Sequence, residues 1–243
     1  MDDDLTATTV TLADGVPAYL ATPTRPHPVP GVVVIHHMPG WDRATKEIVR
    51  RFATLGYAAI SPNLHHRDAP GAAPDDASAA ARAAGGVPDD RLVGEVDTAL
   101  GYLRAQPNST GRVGVIGYCS GGRQAVLCAC RLPFDAAVDC YGAFVLAPSP
   151  SEVNLSVRPL DDDLPNLTCP LLGLFGADDR NPAPAEVAEL ERRLTGLGKD
   201  VTFHSYEDAG HAFFAVDRPA YRVAAAEDGW RRIANFFGTH LGS

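Results

Sequence analysis

Residues 113–122 read Val-Gly-Val-Ile-Gly-Tyr-Cys-Ser-Gly-Gly. Val113 to Ile116 is a short apolar run, as expected of a strand buried on both faces of a sheet. A helix is expected from Arg123 to about Cys130. Between the two, Gly117-Tyr118-Cys119-Ser120-Gly121-Gly122 has to turn sharply. Strand, sharp turn and helix together form the setting of a nucleophile elbow. The turn crowds its own backbone, so the residues two before and two after the apex must be small. Gly117 and Gly121 meet that requirement if Cys119 stands at the apex. With Ser120 at the apex, Tyr118 would fill a tight position, so the serine register fails on sterics. The turn also aims backbone N–H groups and a helix N-terminus at Cys119, and both stabilise a thiolate and an oxyanion.

Outward from this turn, strands and helices alternate. Gly31 to His36, Tyr57 to Ser61, Ala136 to Tyr141, Leu171 to Phe175 and Val201 to Tyr206 read as strands. Helices are expected over Thr45 to Leu55, around Leu92, Val96, Leu100 and Leu103, from Val187 to Leu197, and over Tyr221 to Phe237. Thr8 to Leu12 and Val16 to Ala21 form a hairpin around Asp14-Gly15. The alternation predicts an α/β fold in one domain over residues 1–243, a mostly parallel central sheet with helices on both faces. Asp68 to Pro88, rich in Ala, Gly, Asp and Pro, lacks a strong apolar period and reads as a long surface excursion. Leu146 to Cys169 reads as a second irregular stretch, and long loops are often lids or binding loops.

A parallel sheet binds its ligand beyond the carboxyl ends of its strands, so the residues just after each strand matter. Two further strand ends carry reactive side chains: Gly176-Ala177-Asp178-Asp179 and Ala209-Gly210-His211. The order along the chain is nucleophile, acid, histidine, which is that of the α/β-hydrolase triad. His211 supplies the base a thiol needs, and a carboxylate orients its imidazole. The plainer readings are a buried structural Cys119 and an Asp179 that merely caps a helix. His36-His37 and His65-His66 also follow strands and invite a zinc reading. Adjacent residues on a strand point opposite ways, so each pair supplies one inward side chain. No thiolate or carboxylate is spaced to complete a ligand set, so no metal is expected. Trp41 and Tyr141 follow strands and are candidates for the pocket wall.

These stretches resemble the dienelactone hydrolases, α/β hydrolases with a Cys–Asp–His triad. The matching segments are GVVVIHHMPG, YAAISPNLHHRDAPG, GRVGVIGYCSGG, LLGLFGADDRNPAP and FHSYEDAGHAF, spread from about residue 29 to residue 237. The resemblance implies Cys119 as nucleophile, His211 as base and Asp179 as acid, with Asp178 as fallback. It implies an oxyanion hole from the backbone N–H groups of Ser120 and Met38. It also implies a small ester or lactone as substrate and no cofactor. Two positions depart from the family. His37 stands where the family enzyme has a glutamate that gates the cysteine, leaving it to hydrogen-bond the thiol or sit over the substrate. Ala215 stands where the family has an arginine that contacts the substrate carboxylate. Arg82 and Arg91 are candidates for that arginine's companion.

The 21 Lys+Arg and 30 Asp+Glu of the 243 residues leave a net charge of −9 at pH 7. That balance argues against nucleic-acid and anionic-membrane partners, which need clustered positive charge. No apolar run reaches the roughly 18 residues of a membrane span. The acidic start MDDDLTATTV has no apolar signal region, and five scattered cysteines are no disulfide framework. A reduced cytoplasmic protein, monomer or homodimer, is the expectation. Cys128, Cys130, Cys140 and Cys169 are expected in or near the core.

Overall fold

Val29–Ile35 (β3) is buried along its whole length. The computed structural model, which describes residues 5–151 and 155–242, places it inside the sheet. Ser109–Tyr118 (β5) pairs with it in parallel, with Val34 opposite Ile116 and Ile35 opposite Gly117. The period of two in a strand sends successive side chains to opposite faces. Val33, Ile35, Val113 and Val115 therefore enter one core, and Val32, Val34, Ile116 and Tyr118 the other. This double burial explains why the strands read as continuous apolar runs.

The remaining strands are Leu5–Thr11 (β1), Pro17–Pro23 (β2), Ala58–Pro62 (β4), Ala136–Cys140 (β6), Leu171–Gly176 (β7) and Val201–Tyr206 (β8). All eight form one sheet in the order β1-β2-β4-β3-β5-β6-β7-β8. The pairs β1–β2 and β2–β4 are antiparallel, and the rest run parallel. The expected hairpin is present. Its turn places Asp14 at φ 58° and Gly15 at φ 77°, the left-handed region that an Asp-Gly pair tolerates.

Helices cover both faces. Arg43–Thr54 (α1) and Val223–Leu241 (α6) lie on one, where the Phe52 ring packs edge-on against Trp230 and Phe237 at 5.5 and 5.9 Å. Asp89–Arg104 (α3), Ser120–Arg131 (α4) and Pro184–Gly196 (α5) pack into the other core through Leu92, Val96, Leu127 and Leu190. Cys128, Cys130 and Cys169 are buried there and Cys140 in the opposite core, as expected.

The stretch from Asp68 to Pro88 lies largely at the surface, as expected, but it carries an element that its weak apolar period did not announce. It contains a helix, Pro74–Ala83 (α2), with Ala77, Ser78 and Ala81 buried. Its apolar residues are all alanines, which weakens any hydrophobic period, yet alanine is the best helix former. Pro74 at the helix start and Asp75 and Asp76 in the first turn suit a helix N-terminus. The stretch from Leu146 to Cys169 is largely irregular where described, as expected, with one short turn of 3-10 helix at Leu164–Asn166.

Candidate active site

Cys119 sits between β5 and α4 with φ 58° and ψ −122°, a strained backbone for a residue with a side chain. The glycines around it explain how the chain tolerates the turn. A Cβ at Gly117 would overlap the carbonyl of Gly121, and one at Gly121 would lie 2.5 Å from the Ile35 oxygen. Gly122 has no more room, because a Cβ there would meet Asp139 and the backbone of Gly142. The small residues thus let α4 approach both β3 and the turn after β6. Tyr141 (φ 46°) and Ala212 (φ 64°), each next to a site residue or a strand end, share the left-handed conformation. Apart from Asp14 in the hairpin turn and Asp208 in the turn after β8, the described positive-φ residues other than glycine gather at this centre.

The triad residues meet. Asp179 follows β7, His211 follows β8, and His211 Nδ1 lies 2.8 Å from Asp179 Oδ2. The other Asp179 oxygen accepts the Asn181 N–H at 2.9 Å. His211 also hydrogen-bonds the Cys119 thiol. Burial disfavours charge on both partners, but their contact outweighs it. The thiol falls below its usual range through the His211 hydrogen bond, and the imidazole rises through Asp179 and Cys119. Both shifts move the proton from sulfur to imidazole. The backbone N–H groups of Ser120 and Met38 also address the Cys119 sulfur and favour its anion. Asp178 lines the cavity, but the hydrogen bond to His211 comes from Asp179, so the fallback assignment is not the one the geometry supports.

Cys119, His211 and Met38 open on a cavity of about 590 Å³. Leu64, Val87, Phe144 and Val157 supply apolar wall, and His36, His65, Arg82 and Arg180 supply polar groups. Each histidine pair does send one ring inward. The rings of His36 and His65 meet at 4.6 Å. His36 Nδ1 donates to the His37 carbonyl at 2.9 Å, and its Nε2 accepts the Leu64 N–H at 3.2 Å. Burial holds His36 down at about 3 and His65 at about 4, so both are neutral imidazoles. Among the described residues, no group of three or more His, Cys, Asp or Glu side chains is placed to hold a metal ion.

Three residues expected in the pocket wall stand elsewhere. His37 turns away to bond Asp42 at 2.8 Å, and Asp42 in turn caps α1 through the Thr45 N–H. The Trp41 indole donates to the Ser61 carbonyl at 3.1 Å. Tyr141 is buried behind the triad, its ring 5.1 Å from that of His211. Its ring packs against that imidazole, and Tyr141 lines a smaller, separate cavity rather than the one on which Cys119 opens. Of the two arginine candidates, Arg82 lines the cavity, whereas Arg91 is held by Asp68 at 2.8 Å. Arg123 also reaches the wall, but Asp89 and the carbonyls of Phe144 and Arg158 occupy its guanidinium. Arg180 is a wall residue that sequence reasoning missed, although it follows Asp179 directly at a strand end. Among the described residues it has no ion-pair partner. Phe144 and Val157 come from irregular chain that carries no periodic signal.

The model of the dienelactone hydrolase family matches residues 16–241. A Pseudomonas putida carboxymethylenebutenolidase is 31% identical over 82% of this chain and 81% of its own. A Methylorubrum extorquens protein provisionally named a carboxymethylenebutenolidase is 32% identical over 94% of this chain and 78% of its own. Among solved structures, a provisionally named dienelactone hydrolase of Klebsiella pneumoniae superposes with a TM-score of 0.84 at 29% identity. That match covers 97% of this chain and 99% of the other. The acylaminoacyl peptidase of Pyrococcus horikoshii, 16% identical with a TM-score of 0.74, shares the fold alone. With the family model covering nearly the whole chain, and with the elbow and the histidine–aspartate pair in place, the chain belongs to the dienelactone hydrolase family.

Proposed function

We propose that this protein hydrolyses a small carboxylic ester or lactone through a thioester formed on Cys119. The hydrogen-bonded series Asp179–His211–Cys119 beneath two backbone N–H groups carries this reading. Asp179 fixes the imidazole with Nδ1 toward itself, leaving Nε2 for the thiol. The proton passes from Cys119 to His211, and the thiolate attacks the substrate carbonyl. The Ser120 and Met38 N–H groups receive the developing oxyanion. His211 returns its proton to the leaving alkoxide, and the C–O bond breaks. It then takes a proton from water, whose hydroxide adds to the thioester carbonyl; the C–S bond breaks, the acid leaves, and Cys119 returns as a thiolate beside the protonated His211. In a lactone the leaving alcohol stays tethered and can re-attack, so fast deacylation matters for turnover. No step calls on a cofactor, and the whole chain acts as one domain.

The relatives' name, carboxymethylenebutenolidase, designates a lactone that carries a carboxylate. Ala215 does not supply the arginine such a group would meet, and it lines a separate small cavity beside Tyr118 and Trp230. Arg180 and Arg82 are the cations in the catalytic cavity that can take that part. The test is steady-state hydrolysis of a cis-dienelactone and of p-nitrophenyl acetate by wild type, Cys119→Ala and Arg180→Ala. The reading expects Cys119→Ala to be inactive on both, and Arg180→Ala to lose activity on the dienelactone alone. Equal rates for wild type and Cys119→Ala would refute the thioester mechanism. Cleavage of the neutral ester only would make the protein a general carboxylesterase on the same triad.

A further inference from the structure

Ser78 is the polar residue on the buried side of α2, between Ala77 and Ala81. It is only 1% exposed, and its hydroxyl donates to the Met38 carbonyl at 2.7 Å. A buried hydroxyl demands a partner, and here the partner is the peptide next to the one whose N–H addresses the Cys119 sulfur. The loop carrying Met38 is otherwise braced from within and from α1. Gly40 N donates to the His37 carbonyl at 2.9 Å, and Thr45 Oγ1 donates to the Gly40 carbonyl at 3.2 Å. The Ser78 bond comes from a different direction. It reaches from the helix that also faces the substrate cavity, because Arg82, one turn further along α2, lines that cavity. Gly86 and Val87, just beyond the helix end, line it too.

We infer that Ser78 is a positioning residue for the hydrolysis: its hydrogen bond to Met38 ties the cavity-facing helix α2 to the loop that supplies the second oxyanion N–H. The inference rests on the hydrolase reading, since that N–H matters only if an oxyanion forms beside Cys119. The bond acts on geometry rather than on the substrate. Without it, the half-buried Met38 carbonyl loses its donor, the loop shifts to find another, and the Met38 N–H leaves its line to the sulfur. Loss of an entire oxyanion donor costs about 10²–10³ in kcat, and a misplaced donor costs a part of that. The same N–H lowers the thiol pKa, so its displacement also raises the pH at which Cys119 reacts.

The experiment compares wild type, Ser78→Ala, Ser78→Thr and Cys119→Ala on p-nitrophenyl acetate. It also records the pH dependence of Cys119 alkylation by iodoacetamide in the first three. Ser78→Ala should lower kcat about tenfold with little change in KM, and move the alkylation midpoint to higher pH. Ser78→Thr, which keeps the hydroxyl, should recover most of both. A purely structural serine would lower the thermal midpoint and leave the alkylation midpoint in place. Wild-type kcat and alkylation in Ser78→Ala, against an inactive Cys119→Ala, overturn the role of Ser78 and leave the hydrolase reading intact. An active Cys119→Ala overturns the thioester mechanism on which the inference rests, and the role of Ser78 with it. If Ser78→Thr fails to recover what Ser78→Ala loses, packing rather than the hydrogen bond explains the effect, and the inference falls.

Discussion

His211 Nδ1 and Asp179 Oδ2 stand 2.8 Å apart, the carboxylate side chain 2% exposed and the imidazole 34% exposed. The acid is sealed below and the base reaches up into the cavity. The bond also separates the two neighbouring aspartates, because Asp179 makes it and is buried while Asp178 is exposed. Asp179→Asn should lower kcat/KM by about a hundredfold or more, because the imidazole loses both its orientation and the charge that stabilises its proton. Asp178→Asn should stay within a few-fold of wild type. Parallel kinetics on one ester decide it, and a larger loss in Asp178→Asn would transfer the acid role to that residue.

The glycines divide by what surrounds them. Gly117→Ala pushes a methyl group into the Gly121 backbone, which no side-chain movement relieves. That variant should not accumulate as folded protein. A Cβ at Gly94, inside α3, would meet nothing within 4 Å outside the helix's own backbone. Gly94→Ala should raise stability by about 0.5–1 kcal/mol through helix propensity alone. Thermal unfolding of the two variants checks both signs. A well-folded Gly117→Ala would mean the elbow is not as tight as described.

Asp139 on β6 is fully buried, and one of its oxygens accepts the Gly142 N–H at 2.7 Å. Burial pushes this carboxyl up to about 7, while the Gly142 bond only partly opposes the rise. A carboxyl with a raised folded-state pKa binds protons more tightly folded than unfolded. Its contribution to stability is complete below the ordinary carboxyl range near pH 4 and is lost as pH rises through about 7. Asp139→Asn keeps an acceptor for Gly142 and removes the titration. The stability of Asp139→Asn relative to wild type should therefore improve steadily from about pH 4 to about pH 8. Denaturant unfolding across that range tests it, and a difference independent of pH would show that Asp139 does not titrate there.

The elbow and the triad order were legible in the sequence because each rests on local chemistry. Glycines two either side of Cys119 mark a turn that only small residues allow, and Asp179 and His211 each follow an apolar run that becomes a strand. The pocket wall was less legible. Trp41 and Tyr141 follow strands as expected, but their rings turn to Ser61 and to the back of His211, orientations fixed by packing between distant segments. His37 likewise spends its ring on Asp42, five residues away. The helix α2 left little trace because its buried face is made largely of alanine, which stabilises a helix without marking a hydrophobic stripe. Ser78 gave no signal either, since its partner lies 40 residues earlier.

Contact with His211 holds the Cys119 thiol below its usual range before substrate arrives, and the proposed reaction depends on it. The most direct measurement is the rate of Cys119 alkylation by iodoacetamide from about pH 5 to about pH 9, in wild type and in His211→Asn. Wild type should react far faster than a free thiol at about pH 6, on a plateau that persists well below the ordinary thiol range near about 8.5. His211→Asn should lose the plateau and follow a rising curve at higher pH. A wild-type profile that rises near the ordinary thiol pKa, unchanged by His211→Asn, would contradict the account.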